Sequence, residues 1–239
     1  AYAGRALGIP VTIVVPETTS AEVRQSIEVT GATVLVHGTV FDEANAFAIE
    51  HANARKAAYV HPFDHPLLWE GHGTLIDEVL AKGADFDCVI ASVGGGGLLA
   101  GIVAGLKRNG LSDVPVIAVE TEGAASLHAS LAAGERITLP AITSIASSLG
   151  ARQVAQHVFD LPKHHPIESV TVTDAQAVAA CLKFADTYRI LVEPACGAAL
   201  AVADVDADIL ARFNNPLIEV CGGIGVSLEK LKAWKVRFL

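Results

Sequence analysis

The chain has 239 residues and a formal net charge of −9 with histidine neutral; 51% of it is apolar and 5% aromatic. That length buries one large core or two modest ones, and the acidic balance offers nucleic acid and anionic membrane no general attraction, so any phosphate has to be held locally. No apolar run approaches a membrane span, the N-terminus lacks the basic flank and apolar core of a signal peptide, and a cytoplasmic protein is expected.

Residues 1–7 read as a helix stopped by Gly8. Residues 11–15 are a β-branched run closed by Pro16, the pattern of a buried parallel strand. Thr19 with Glu22 reads as a capping box for a helix continuing through Ile27 and Val29 to Gly31. A strand over 33–36, a helix over 42–54 and a short strand over 58–60 complete a βαβαβ alternation, which demands parallel pairing and right-handed crossovers. At 61–66, His-Pro-Phe-Asp-His-Pro, two prolines break all periodicity, and a boundary there divides residues 1–61 from 62–239.

Beyond it the pattern predicts a helix over 67–81, a strand, turn and helix from residue 88 onward, a strand over 114–120, a helix over 124–133 and an irregular segment to 150. A helix over 151–159, a strand over 169–172 and a helix over 175–187 capped by Asp174 come next. Residues 190–192 and a small-residue helix over 195–203 are expected to pack closely. Last come a strand over 217–220, Cys221-Gly222-Gly223, and a helix over 227–236. Abundant Ala, Val, Ile, Leu and Gly suit an α/β protein whose parallel strands are covered on both faces. There is no internal repeat.

Residues 88–101, CVIASVGGGGLLAG, organise the rest. An apolar strand reaches Gly94, Gly95, Gly96 and Gly97, and an amphipathic helix begins with Leu98 and Leu99. Glycine admits backbone angles and close approaches closed to other residues, and the first turn of the helix offers unpaired N–H groups at a positive dipole end. The product is a cradle for an anion, most naturally a phosphate. Gly95, Gly97 and Ala100 also satisfy a dinucleotide fingerprint, with Glu120 at the distance expected for an acid that holds a ribose, so a nicotinamide oxidoreductase is an alternative. Against it, several elements precede this strand.

The four cysteines, Cys88, Cys181, Cys196 and Cys221, form no C-x-x-C pair and read as free thiols. His61, His65 and His72 lack the helical spacing of a zinc pair, because Pro62 and Pro66 intervene. Glu193, before Pro194, reads as an anchor rather than a chemical group.

SVGGGGLLAGIVAGL (92–106), HPFDHPLLWEGHGT (61–74), ETEGA (120–124), LVEPACGAAL (191–200) and VCGG (220–223) together resemble the L-serine dehydratases. These are the serine/threonine ammonia-lyase branch of the fold-type II pyridoxal-phosphate enzymes, and the likeness runs in order from Ala1 to the last helix. The resemblance implies open, twisted parallel sheets with helices on both faces. It makes 1–61 the remainder of a small domain and 62–239 a large cofactor domain, and it replaces the nicotinamide with pyridoxal 5'-phosphate. The phosphate would sit on Gly94, Gly95, Gly96, Gly97 and Leu98, the pyridine ring between Phe63 and Ser148, and the ring nitrogen beside Cys221. A potassium ion would be held by Glu120 and the carbonyls of Gly94, Ala124, Leu149 and Ala151. The implied activity is β-elimination from L-serine and L-threonine in a cytoplasmic homodimer of amino-acid metabolism and gluconeogenesis.

The family's Schiff-base lysine and its substrate-carboxylate loop have no counterpart here, since none of the eight lysines lies in a matching segment. With no methionine anywhere and an opening that reads as the end of a helix, the sequence is expected to start downstream of its natural beginning, or to lack modified residues between neighbours. The 239 residues alone are expected to be inactive; a non-catalytic truncated relative is the remaining alternative.

Overall fold

Two β-branched runs form the parallel strands of the first of two units into which the described residues, 1–205 and 207–239 of this computed structural model, divide: Ala1–His61 and Pro62–Leu239. In the first unit β1 (Thr12–Val15) pairs with β2 (Thr33–Val36) from Thr12↔Thr33 to Val15↔Val36. They accompany α1 (Tyr2–Leu7), α2 (Ala21–Glu28) and α3 (Phe41–Arg55). Helix α2 is capped by Ser20, one residue beyond the expected Thr19: the Ser20 hydroxyl accepts the Val23 N–H at 3.3 Å. The strand expected over 58–60 joins no ladder among the described residues, and Tyr59 there donates its hydroxyl to Asn45 on α3.

The second unit contains α4 (Pro66–Ala81), β3 (Cys88–Ser92), α5 (Gly97–Arg108), β4 (Val116–Thr121), α6 (Ser126–Ala133), α7 (Gln156–Asp160), β5 (Ile167–Val172), α8 (Asp174–Tyr188), α9 (Pro194–Val205), α10 (Ala207–Leu210), β6 (Pro216–Ile218) and α11 (Leu228–Phe238). Its sheet has the order β5-β4-β3-β6, with every pair parallel. Every residue of β3 and β4 is buried, as parallel strands covered on both faces must be. The two-residue period of the strand sorts their side chains. Val89 and Ala91 join Ile76 of α4 and Leu99, Ile102 and Leu106 of α5 in one core, while Cys88 and Ile90 join Ala198, Ala199 and Val202 of α9 in another.

Three sequence expectations change here. The helix over 151–159 shrinks to α7, because the loop before it is tied to the glycine turn: the Ala155 N–H donates to the Gly95 carbonyl at 3.1 Å. The helix over 124–133 begins at Ser126, after a single 3-10 turn, Glu122–Ala124. Helix α8 is capped by Thr173, in a reciprocal capping box with Gln176, and not by Asp174. The Asp174 carboxylate instead accepts the Ser144 hydroxyl at 2.5 Å and the Ile145 N–H at 3.1 Å. No helix among the described residues is long and apolar enough to cross a membrane.

His165, which precedes β5, is 3% exposed. Burial, reinforced by the charge of Lys107, holds its imidazole below the usual range. The folded state therefore prefers the neutral ring, so the contribution is complete above the unfolded-chain value, roughly 6.5, and is lost as pH falls through it. The urea midpoint is expected to drop between pH 7.5 and pH 5.5, and by less in His165→Asn. An equal drop in both proteins would remove His165 from the account.

Candidate active site

In the second sheet the chain passes from β3 to β4 and β5 on one side and returns to the other side of β3 as β6. A parallel sheet opens a crevice beyond the carboxyl ends of its strands where the order reverses, here between β3 and β6. The tetraglycine turn leaves the end of β3, and Cys221 lies just past the end of β6. The register fixes their proximity: Ile90 pairs with Ile218, and the Glu219 N–H donates to the Ile90 carbonyl at 2.9 Å. Three residues beyond this pairing the chain reaches Val93 on one strand and Cys221 on the other. Leu98, Glu219 and Cys221 line a common cleft of about 630 Å³ together with the α4 residues Leu75 and Val79.

The turn is shaped for contact with its main chain. Gly96 has φ +92, in the left-handed region. A Cβ built on Gly95 would lie 2.3 Å from ring carbons of Phe63, so only a hydrogen fits there. Gly95, Gly96 and Gly97 are buried, yet the N–H groups from Gly94 to Leu98 meet no acceptor among the described residues. Buried donors without acceptors are costly, at roughly 1–3 kcal/mol each, so the turn is built for an acceptor from outside the chain. An anionic phosphate at the N-terminus of α5 satisfies several of them at once.

Phe63 packs on this turn with its ring over Gly95, and its carbonyl accepts the Trp69 indole N–H at 2.8 Å. It is half-buried against the main core and is not among the residues lining the cleft beside Cys221. Ser148 is exposed, and its backbone carbonyl lies 3.1 Å from where a Gly94 Cβ would sit, so Ser148 and Leu149 stand directly against the turn. The Ser148 hydroxyl donates to Glu193. Glu193 also accepts the Gly225 N–H at 2.9 Å, and its own N–H donates to the Gly222 carbonyl at 3.1 Å. One carboxylate thus couples Ser148 to the loop that carries Cys221.

Cys221 is a free thiol, as expected, and is exposed in the wall of the cleft. Its Sγ donates to Glu219 Oε2 at 3.1 Å. The neighbouring Cys196 sulfur, partial desolvation and the Glu219 carboxylate together push its ionisation up, so it remains a neutral thiol. Cys196 and Glu219 were not legible as site residues. The i, i+2 spacing of Glu219 and Cys221 on an extended segment was a usable signal for the latter, whereas Cys196 lay inside a small-residue helix with nothing to mark it.

Glu120 is completely buried at the end of β4. Its two oxygens accept the Leu127 and His128 N–H groups at 2.9 and 2.7 Å, capping α6, and burial raises its carboxyl to about 7. A carboxylate turned into a helix terminus does not stand at an open crevice as a ribose-binding acid must, and this removes the support that Glu120 lent to a nicotinamide. Of the five expected cation ligands, Gly94 and Leu149 are in contact, and Leu149 and Ala124 share a core. The Leu149 carbonyl also accepts the Ala151 N–H at 2.8 Å.

A family model described as pyridoxal-phosphate dependent enzyme matches residues 1–222. The chain is 44% identical to the serine dehydratase-like protein of Mus musculus, over 99% of this chain and 75% of that one. It is 45% identical to the L-serine dehydratase/L-threonine deaminase of Homo sapiens, over 98% of this chain and 75% of that protein. Among solved structures, a fungal L-serine ammonia-lyase from Rhizomucor miehei superposes with a TM-score of 0.88 at 34% identity, covering 100% of this chain and 78% of that one.

Proposed function

Because the chain belongs to the pyridoxal-phosphate-dependent enzyme family, we propose that it serves an ammonia-lyase that eliminates water from L-serine, and from L-threonine, to give pyruvate or 2-oxobutyrate with ammonia. The observation that carries this reading is the pairing, across the switch point of the sheet, of an acceptor-less glycine turn with a neutral thiol. The names of relatives similar over nearly the whole chain support the substrate class. Pyridoxal phosphate, when bound, supplies an electron sink for charge developing at the amino acid's Cα.

The chain's own residues hold and tune that group. Gly94, Gly95, Gly96, Gly97 and Leu98 would receive the phosphate on their N–H groups, and Phe63, packed on Gly95, would lie against one face of the pyridine ring. Ser148, fixed by Glu193, forms a wall of the site. Cys221 offers the ring nitrogen a thiol that stays protonated, a feeble partner for a pyridinium. Such a thiol would leave the ring nitrogen mostly unprotonated, and Cys221 would thereby disfavour long-lived negative charge on Cα and favour prompt departure of the β-hydroxyl. Glu120, with the carbonyls of Gly94, Ala124, Leu149 and Ala151, would hold a potassium ion beside the turn; hard oxygen ligands suit such an ion. The base that takes the Cα proton is a lysine of the segment that the family carries ahead of the region described here. A cytoplasmic homodimer belongs to the same reading.

The test is oxo-acid formation from L-serine by protein that includes the lysine segment of its relatives, loaded with pyridoxal phosphate. Pyruvate and ammonia in equal amounts are expected, and none from the 239 residues alone. Tight binding of NAD with no pyridoxal absorbance and no pyruvate would sink the proposal.

A further inference from the structure

In the proposed ammonia-lyase function Cys196 contacts neither cofactor nor substrate and acts only by keeping the Cys221 thiol protonated; it is completely buried at the start of α9. Its sulfur faces the loop that carries Cys221: Sγ donates to the Gly222 carbonyl at 2.9 Å and accepts the Gly222 N–H at 3.1 Å. The two thiols also meet each other within hydrogen-bonding reach. Since the Gly222 nitrogen is bonded to residue 221, standard bond lengths keep the Cys221 Cα within about 5.5 Å of the Cys196 sulfur. A disulfide requires its two sulfurs to close to about 2.05 Å, and thiols already within hydrogen-bonding reach need only a small side-chain movement to do so. Cys221 opens on the cleft while Cys196 is sealed behind it, the arrangement of a thiol that meets an oxidant and a thiol that resolves the product.

We propose that Cys196 and Cys221 form a reversible disulfide when a small peroxide enters the cleft. The Cys221 sulfur passes its proton to the Glu219 carboxylate, to which it donates at 3.1 Å, and as the thiolate attacks one peroxide oxygen, so that the O–O bond breaks. Cys221 becomes a sulfenic acid, and its thiol proton leaves with the other oxygen as water or an alcohol. The Cys196 sulfur then attacks the Cys221 sulfur and expels hydroxide, which leaves as water with the Cys196 proton. Each sulfur gives up one electron, and the peroxide takes both. The Cys221 hydrogen bond lowers the ionisation of Cys196, as the resolving step requires. The thiol chemistry stands without the cofactor, whereas its effect on cofactor binding rests on the proposed place of Cys221 beside the ring nitrogen.

The competing partner is Cys181 on α8, whose sulfur lies against Gly197, the residue after Cys196, but is buried and held up to about 12. Trypsin separates the alternatives, because Cys88, Cys181, Cys196 and Cys221 fall in the distinct fragments 83–107, 164–183, 190–212 and 213–230. Treatment of the cofactor-loaded protein with hydrogen peroxide is expected to remove about 2 Da and to join 190–212 to 213–230; dithiothreitol reverses both. In Cys196→Ser the link is absent and Cys221 accumulates as sulfenic or sulfinic acid. Were that variant to misfold, the wild-type fragment map alone decides. Persistence of all four thiols, a link from 164–183 to 190–212, or sulfinic Cys221 beside reduced Cys196 in the wild type would overturn the proposal. Cofactor affinity is measured on the same samples. A link formed with affinity unchanged would uphold the disulfide and count against the placement of Cys221 in the cofactor site.

Discussion

Gly95→Ala is expected to weaken retention of pyridoxal phosphate at least tenfold and to destabilise the second unit by about 1–3 kcal/mol, the usual cost of overpacking. The added methyl would sit 2.3 Å from the ring of Phe63, a residue packed half-buried against the main core and tied through its backbone carbonyl to Trp69. Either the ring or the turn has to shift, and a shifted turn no longer aims its N–H groups at one phosphate. Because the clash is with the ring, Phe63→Ala should relieve it. The double variant Phe63→Ala/Gly95→Ala is therefore expected to lose less stability than the sum of the single changes. Urea midpoints for the four proteins and cofactor titration by absorbance measure both effects. Strict additivity would mean that the contact between Phe63 and the turn is not what shapes the cradle.

Glu120→Ala is expected to lower the melting temperature by about 10 °C. It strands two N–H groups, of Leu127 and His128, at a buried helix terminus, at roughly 1–3 kcal/mol each, and leaves a void as well. A domain of this size loses roughly 2–4 °C per kcal/mol. Glu120→Gln keeps one carbonyl acceptor and turns the amide nitrogen toward the other donor, so a loss of about half is expected. If the potassium assignment holds, replacing potassium by tetramethylammonium lowers the wild-type melting temperature and leaves that of Glu120→Gln unchanged. A Glu120→Ala protein as stable as the wild type would show that the carboxylate is not the cap of α6.

The strand, turn and helix from Cys88 to Leu106 were legible because composition and period agreed: a largely apolar run, four glycines, and then apolar positions at helical spacing. The parallel sheet with helices on both faces followed from the alternation of such segments. Caps slipped by one residue, from Thr19 to Ser20 and from Asp174 to Thr173, since Thr, Ser and Asp side chains offer similar acceptors and only backbone geometry decides which one caps. The helix over 151–159 had adequate local propensity and was overridden by a tertiary bond from Ala155 to the glycine turn. Residues 58–60 had strand composition and no ladder to join. Glu120 read as a strand-end acid with two possible duties, and its duty to α6 depended on the fold of the next segment. The contact between Cys196 and the Cys221 loop joins residues 25 positions apart, which no local pattern encodes.

The central claim is that a phosphate sits on the N–H groups after Val93 while an aromatic ring nitrogen lies beside the Cys221 sulfur. The electron density of crystals grown with pyridoxal 5'-phosphate tests it most directly. The account predicts phosphate oxygens within about 3 Å of the nitrogens of the tetraglycine turn, the usual N–H···O length, and the pyridine nitrogen within contact of that sulfur. Phosphate density elsewhere, with the turn left empty, or a ring whose nitrogen faces away from residue 221, would contradict it.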